Sequence, residues 1–145
     1  MKTGIAILVV SESSLQLSLT IAKHLPGSNL YSSFESIFTD TIPSIATFLK
    51  EHFNRFEAFV FVGSLGICVR SIAPFITDKH TDPAIVNIDS TGKYIVSVLS
   101  GHIGGANILT KQIARITGGQ AVITTQSDNT DLWALDTLGK TYQWK

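Results

Sequence analysis

Ala84-Ile-Val-Asn-Ile88, Asp89-Ser-Thr-Gly-Lys93 and Tyr94-Ile-Val-Ser-Val98 follow one another in the chain, and their reading decides the kind of sheet it builds. The first and third segments are apolar runs of strand length. The polar segment between them is too short for a parallel crossover, so the two runs pair antiparallel. Strand-like segments also occur at Ile5–Val10, Asn29–Ser32, Ala58–Val62 and Ala121–Thr125, with helical patterns between most of them. Leu15, Leu19 and Ala22 mark one such face. Ile42, Ile45, Leu49 and Phe53 mark another, with Asp40 or Thr41 available as cap and Pro43 suited to the first turn. Asp131 is placed to cap a last helix through Leu132, Leu135 and Leu138. Strands alternating with helices predict a parallel sheet covered on both faces. The expected fold is therefore α/β: one three-layer α/β/α domain over residues 1–145, with a mostly parallel, mixed sheet containing one antiparallel hairpin.

Two glycine-rich turns stand where strands hand over to helices. Tyr94–Leu99 is followed by Ser100-Gly-His-Ile-Gly-Gly105, after which Ala106, Leu109, Ile113 and Ile116 trace the apolar face of a helix. Ala58–Val62 is followed by Gly63-Ser-Leu-Gly66 and a short helix over Ile67–Ala73 that ends before Pro74. A helix N-terminus carries free N–H groups and the positive end of the macrodipole, and glycine lets an oxygen-rich ligand approach both. The spacings GxGxxG and GxxxxGK[ST] are absent, which argues against a dinucleotide or ATP. Because ligands of open α/β sheets bind beyond the carboxyl ends of the strands, both turns and the Thr124–Asp128 loop are expected to converge at one edge.

Composition narrows the partners. The chain has 145 residues, of which 44% are hydrophobic, enough for one domain with a real core. A formal net charge of zero offers no basic field for nucleic acid and no polybasic patch for a membrane surface. Mean hydropathy is high at +0.27, but the runs Ile5–Val10 and Ala58–Val62 are far too short to span a bilayer. Lys2 precedes strand-like residues that Ser11, Glu12 and Ser13 follow at once, unlike a signal peptide, so a cytoplasmic location is expected. The single cysteine, Cys68, lies in the apolar short helix with no Cys or His at ligand spacing and reads as core.

Read in order, Gly63-Ser-Leu-Gly-Ile-Cys-Val-Arg70, Ile72-Ala-Pro74, Lys79-His-Thr-Asp-Pro-Ala84, Leu99-Ser-Gly-His-Ile-Gly-Gly-Ala-Asn107, Ile123-Thr-Thr-Gln-Ser-Asp128 and Ala134-Leu-Asp136 make the chain resemble the N-terminal domain of the CbiG family. These are the cobalt-precorrin-5A hydrolases of anaerobic cobalamin biosynthesis. The motifs occupy the second half of the chain. Members of the family continue past the segment equivalent to Leu138–Lys145 into a separate C-terminal domain, which this sequence is expected to lack. The resemblance implies a cobalt-tetrapyrrole substrate rich in carboxylates, whose lactone is opened before a two-carbon unit leaves as acetaldehyde. It also implies contact with that C-terminal domain or with other enzymes of the pathway.

Such chemistry needs donors for carboxylates, a base for water, and donors where negative charge develops. His102 is the candidate base, since a helix N-terminus favours the neutral ring; its structural alternative is a hydrogen bond to the backbone of the turn. Asp82 is the second catalytic candidate, as a base or by orienting Arg70, a lysine or His102; its alternative is turn formation. Substrate-binding candidates are Gly63, Ser64, Gly66 and Arg70 at the first turn, Lys79 and Thr81 before Pro83, and Ser100, Gly101, Gly104, Gly105 and Asn107 at the second. Thr124, Thr125 and Asp128 complete the set, Asp128 with helix capping as its alternative. For the glycines the alternative is close strand-to-helix packing, and for Arg70 an internal ion pair. His24, His52, His80 and His102 are widely scattered, so no protein metal site or cofactor is expected and the cobalt arrives within the substrate. Two other readings stay open: a tetrapyrrole-binding domain without turnover, and a phosphate or nucleotide module.

Overall fold

β1 (Ile5–Val9) and β4 (Ala58–Val62) are apolar almost throughout because both faces of the sheet they centre are covered. The computed structural model describes residues 2–125. After β1 come α1 (Leu15–Lys23), β2 (Ser28–Ser32), a short β3 (Asp40–Thr41) and α2 (Ile45–His52). After β4 come α3 (Leu65–Ile72), β5 (Ala84–Ile88), β6 (Tyr94–Leu99), α4 (Ala106–Thr117) and β7 (Gln120–Val122). The sheet order is β3-β2-β1-β4-β5-β6-β7. Every neighbouring pair is parallel except β5 with β6, whose register runs from Ile85 opposite Leu99 to Ile88 opposite Ile95. The mixed three-layer α/β architecture expected from the sequence is thus the observed one.

Side-chain alternation along the strands divides the core in two. Ile7, Val9, Val60, Val62, Val86, Ile88 and Ile95 pack under α1 and α4 with Ile21, Leu109 and Ile113. Ala6, Leu8, Phe59, Phe61 and Ile85 pack under α2 and α3 with Phe48, Leu49, Cys68 and Ile72. The second layer is aromatic: Phe59 stacks on Phe53 with ring centroids 5.9 Å apart and meets Phe56 edge-on at 5.3 Å.

Several boundaries differ from the sequence reading: β1 and β2 by one residue each, α3 at both ends, and the start of α2 and the last strand by more. Asp40 and Thr41 do not cap α2; they pair with Tyr31 and Ser32 as β3, and Ser44 is the cap, its hydroxyl oxygen accepting the Thr47 N–H at 3.0 Å. Short side-chain caps and edge pairing compete for the same residue types, and tertiary pairing wins at Asp40. Ser44→Ala is expected to lower stability by about 1 kcal/mol, read by denaturant unfolding. The last strand covers Gln120–Val122 rather than Ala121–Thr125, and α3 begins at Leu65 rather than Ile67. The proposed Asp131-capped helix lies outside the described residues.

Cys68 is fully buried on the inner face of α3, and burial pushes its thiol up to about 12 from 9.0. The folded state therefore resists thiolate formation, whereas the unfolded chain accepts it. The resulting stability is complete below pH 9 and is lost as pH rises toward 12. Unfolding midpoints measured across that interval should fall, and Cys68→Ala should flatten this part of the decline.

Candidate functional site

The two glycine turns do not converge. Val62, at the end of β4, lies level with Ile88, and Ile88 lies level with Ile95 near the start of β6. Leu99, at the end of β6, therefore sits beside the start of β5, and the Ser100–Gly105 loop emerges at the opposite edge from Gly63–Gly66. Strands of this length separate the edges by roughly 17 Å. The reason is the hairpin itself: reversing β6 sends its carboxyl end, and that of the parallel β7, to the edge where β1, β4 and β5 begin.

The candidates accordingly fall into two groups. Lys79, Thr81, Asp82, Ser100, Gly101, His102, Gly104, Gly105, Asn107, Thr124 and Thr125 share the edge where β4 and β5 begin. Gly63, Ser64, Gly66 and Arg70 occupy the other. Asp128 lies outside the described residues.

The first group is knit by two hydrogen-bonded chains. The Asp82 carboxylate, 4% exposed, accepts the Thr77 N–H at 3.0 Å, the Thr77 hydroxyl at 3.0 Å and the Asp78 N–H at 3.2 Å. Its carbonyl accepts the Ser100 hydroxyl at 3.1 Å. Through these contacts Asp82 closes the 77–82 loop and ties it to the 100–105 loop, as its turn-forming alternative expects, and none of them reaches Arg70 or His102. Lys2 ties in as well, its ammonium donating to the Thr81 carbonyl. Lys79 and Thr81 present exposed side chains on this loop.

The second chain centres on Asn107, 3% exposed. Its Oδ1 accepts the Ser97 hydroxyl at 2.7 Å, its Nδ2 donates to the Thr125 hydroxyl at 2.8 Å, and its backbone N–H donates to the Gly101 carbonyl at 2.9 Å. Asn107 thus joins β6, the head of α4 and the segment after β7, with both ends of its amide occupied. A Cβ at Gly101 would stand 2.6 Å from Asn107 Oδ1, and one at Gly104 would stand 2.5 Å from Ser100 Cβ. Both glycines are required by close approach. Gly105, at φ 90°, supplies the left-handed turn into α4.

The head of α4 is less open to an anion than the sequence suggests. The Ala106 N–H donates to the Ser100 carbonyl at 3.2 Å and the Asn107 N–H to that of Gly101, so the loop itself takes donors a ligand would need. Ser100 adopts φ 57°, the sole positive φ at a non-glycine among the described residues. Such strain persists where surrounding contacts hold it, here the bonds of its hydroxyl and carbonyl. His102 stands at the outer bend of this strained loop, exposed, between exposed Ile103 and half-buried Gly101. Among the described residues its ring makes no hydrogen bond to the backbone of the turn. Thr124, in the segment after β7, is exposed, and Thr125 is half-buried.

Sequence reasoning missed Ser97 and Thr77. Ser97 carries a usable signal: it alternates with Val96 and Val98 on the face that Ile95 places under α4, where a polar group needs a partner. Among the described residues no cluster of His, Cys, Asp or Glu is arranged to hold a metal, and no helix is long and apolar enough to cross a membrane.

These features define a doubly wound α/β domain whose strand order 3-2-1-4-5 is extended by a reversed pair carrying a strained, histidine-bearing loop. The chain belongs to the family described as Cobalamin synthesis G N-terminal, whose model matches residues 47–128. It is 47% identical over 89 residues to the cobalt-precorrin-5A hydrolase of Salmonella typhimurium, covering 61% of this chain and 25% of that protein. It is 45% identical over 101 residues to the cobalt-precorrin-5A hydrolase of Priestia megaterium, covering 70% of this chain and 27% of that protein. The chain therefore spans about a quarter of the length of these relatives. A crystal structure of a cobalamin biosynthesis protein G homolog from Sulfolobus solfataricus superposes with a TM-score of 0.68 at 24% identity, over 89% of this chain and 40% of that one, a likeness of fold.

Proposed function

We propose that this chain acts in the anaerobic route of cobalamin biosynthesis, in the cytoplasm, hydrolysing the lactone of cobalt-precorrin-5A with release of acetaldehyde to give cobalt-precorrin-5B. The observation that carries the reading is the family match over residues 47–128, which contains both the Lys79–Asp82 and the Ser100–Asn107 loops. His102 takes a proton from water as its oxygen bonds to the lactone carbonyl carbon. The lactone C–O bond then breaks, leaving a carboxylate and, once the departing oxygen is protonated, an alcohol. When that alcohol loses its proton and becomes the carbonyl of acetaldehyde, the adjoining C–C bond breaks and the macrocycle carbon takes up a proton.

The backbone N–H groups of Gly104 and Gly105 face developing oxyanions in this scheme, and Lys79, Thr81 and Thr124 offer a cation and hydroxyls to substrate carboxylates. Asp82, Ser100, Gly101, Asn107 and Thr125 position the loops. Cobalt enters as part of the substrate, with no cofactor resident in the protein. The remaining length of the hydrolases, or another pathway enzyme, adjoins this edge.

Cobalt-tetrapyrrole binding without turnover is the second reading, favoured by the chain spanning only about a quarter of the relatives' length. Mixing the purified chain with cobalt-precorrin-5A and assaying acetaldehyde separates them. Acetaldehyde supports hydrolysis, a perturbed corrinoid spectrum without it supports binding alone, and neither signal defeats both readings.

A further inference from the structure

On one face of the sheet the helical cover stops short. On the other face α4 lies against β5, β6 and β7. Here α2 and α3 pack over the strands as far as β5, and among the described residues no helix lies over β6 and β7. Alternation from Ile95, which faces α4, puts Tyr94, Val96 and Val98 of β6 on this side, and the parallel register adds Gln120 and Val122 of β7. None of these five is buried, whereas every position of β4 and β5 is.

α3 turns a second apolar surface toward the same gap. Ser71 and Phe75 mark its α2 side, since the Phe75 and Phe53 ring centroids stand 5.8 Å apart and Phe53 ends α2. Leu65 and Val69, one helical turn apart, flank the buried Cys68 and Ile72 on the opposite side, toward β6, and remain 42% and 46% exposed. A wall from α3 and a floor of two strands thus meet in an apolar step. Strands about 4.8 Å apart give that floor a width of roughly 10 Å, that of a single helix.

The sequence supplies an occupant within reach. Residues 126–145 lie outside the described residues, and the chain enters them from β7, the strand beside the step. Within them Leu132, Leu135 and Leu138 recur at three-residue spacing behind Asp131, the stripe a short helix needs against an apolar floor. Residues 123–130 connect Val122 to Asp131. Eight residues extend up to about 26 Å, well beyond the roughly 10 Å between packed layers. Such a tether gives an effective concentration on the order of 1 mM, which favours this segment over a second copy or a free partner.

We infer that the open face of β6 and β7 beside α3 is a docking surface for the Leu132, Leu135 and Leu138 stripe of this same chain, which completes the third layer of the domain. Docking there also holds the segment that carries Thr125, the partner of Asn107 at the head of α4. The inference does not rest on the hydrolase reading.

Methyl NMR of the full chain, with leucine and valine labelled, tests it. Cross-peaks from Leu132, Leu135 or Leu138 to Val69, Val96 or Val98 are expected. Leu135→Asp should erase them, and so should Val69→Asp, a change at a half-exposed position that the fold can carry. Ile108→Asp, at a site 71% exposed on the far side of α4, should leave them intact. Absence of these cross-peaks in the unaltered chain overturns the docking, as does their survival in both Asp variants. Cross-peaks found only between differently labelled chains in a mixed sample would assign the surface to a second copy and overturn it as well.

Discussion

His102→Ala is expected to slow acetaldehyde release from cobalt-precorrin-5A by roughly 100- to 10,000-fold while leaving substrate affinity nearly unchanged, the signature of a group that acts on a proton in the transition state. The structure gives a reason to expect the two effects to part. Among the described residues the imidazole makes no bond that holds its loop, whereas Ser100, Gly101 and Asn107 fix that loop through their own contacts. Removing the ring should therefore leave the loop, the Gly104 and Gly105 amides and the Lys79 cation in place. Single-turnover rates and a corrinoid absorbance titration measure the two quantities separately. A variant that loses affinity and rate in equal proportion would make His102 a binding residue. One that retains full rate would take it out of the mechanism and leave water activation to another group.

How far the sequence could lead is clearest at the hairpin. The short loop Asp89–Lys93 specifies that β5 and β6 run in opposite directions, and the structure bears this out. That reversal already implies that the loop after β6 leaves the sheet at the far edge from the loop after β4. The expectation that both glycine turns converge applies the rule for parallel strands to a strand that is not parallel to its neighbour. Local signals were otherwise dependable where burial enforces them. Ala58–Val62 and Ala84–Ile88 have the bounds read from their apolar runs, because fully covered strands tolerate little else. Exposed and edge segments were less legible: two residues of β3 are fixed by pairing with Tyr31 and Ser32, a contact no local pattern encodes. At the candidate site the residue types were visible but their duties were not. Asp82 and Asn107 carry groups suited to catalysis or binding; in the fold the Asp82 carboxylate is taken up by Thr77 and Asp78 of its own loop, while the Asn107 amide reaches Ser97 and Thr125. Only the tertiary arrangement decides between those uses.

Asn107→Leu follows from that arrangement and is expected to lower stability by roughly 2 to 4 kcal/mol, because one near-isosteric change leaves the Ser97 and Thr125 hydroxyls without their shared partner. Exposure should soften the loss at Thr125, which is half-buried and admits water. Gly101→Ala should imitate the effect from the opposite side, since its new methyl would occupy space 2.6 Å from Asn107 Oδ1. The two changes strike one contact, so their combination should cost less than the sum of the separate losses. Adding Ser97→Ala and Thr125→Val to Asn107→Leu should recover part of the stability, as unpaired hydroxyls are replaced by groups that need no partner. Denaturant unfolding of the series measures each term. The functional consequence is distinct: even the recovered triple variant lacks the bond that fixes the segment after β7 to the head of α4, so its acetaldehyde release should stay below that of the unaltered chain. Full recovery of both stability and rate would mean that the polar character of the cluster is dispensable and that packing alone holds the His102 loop in place.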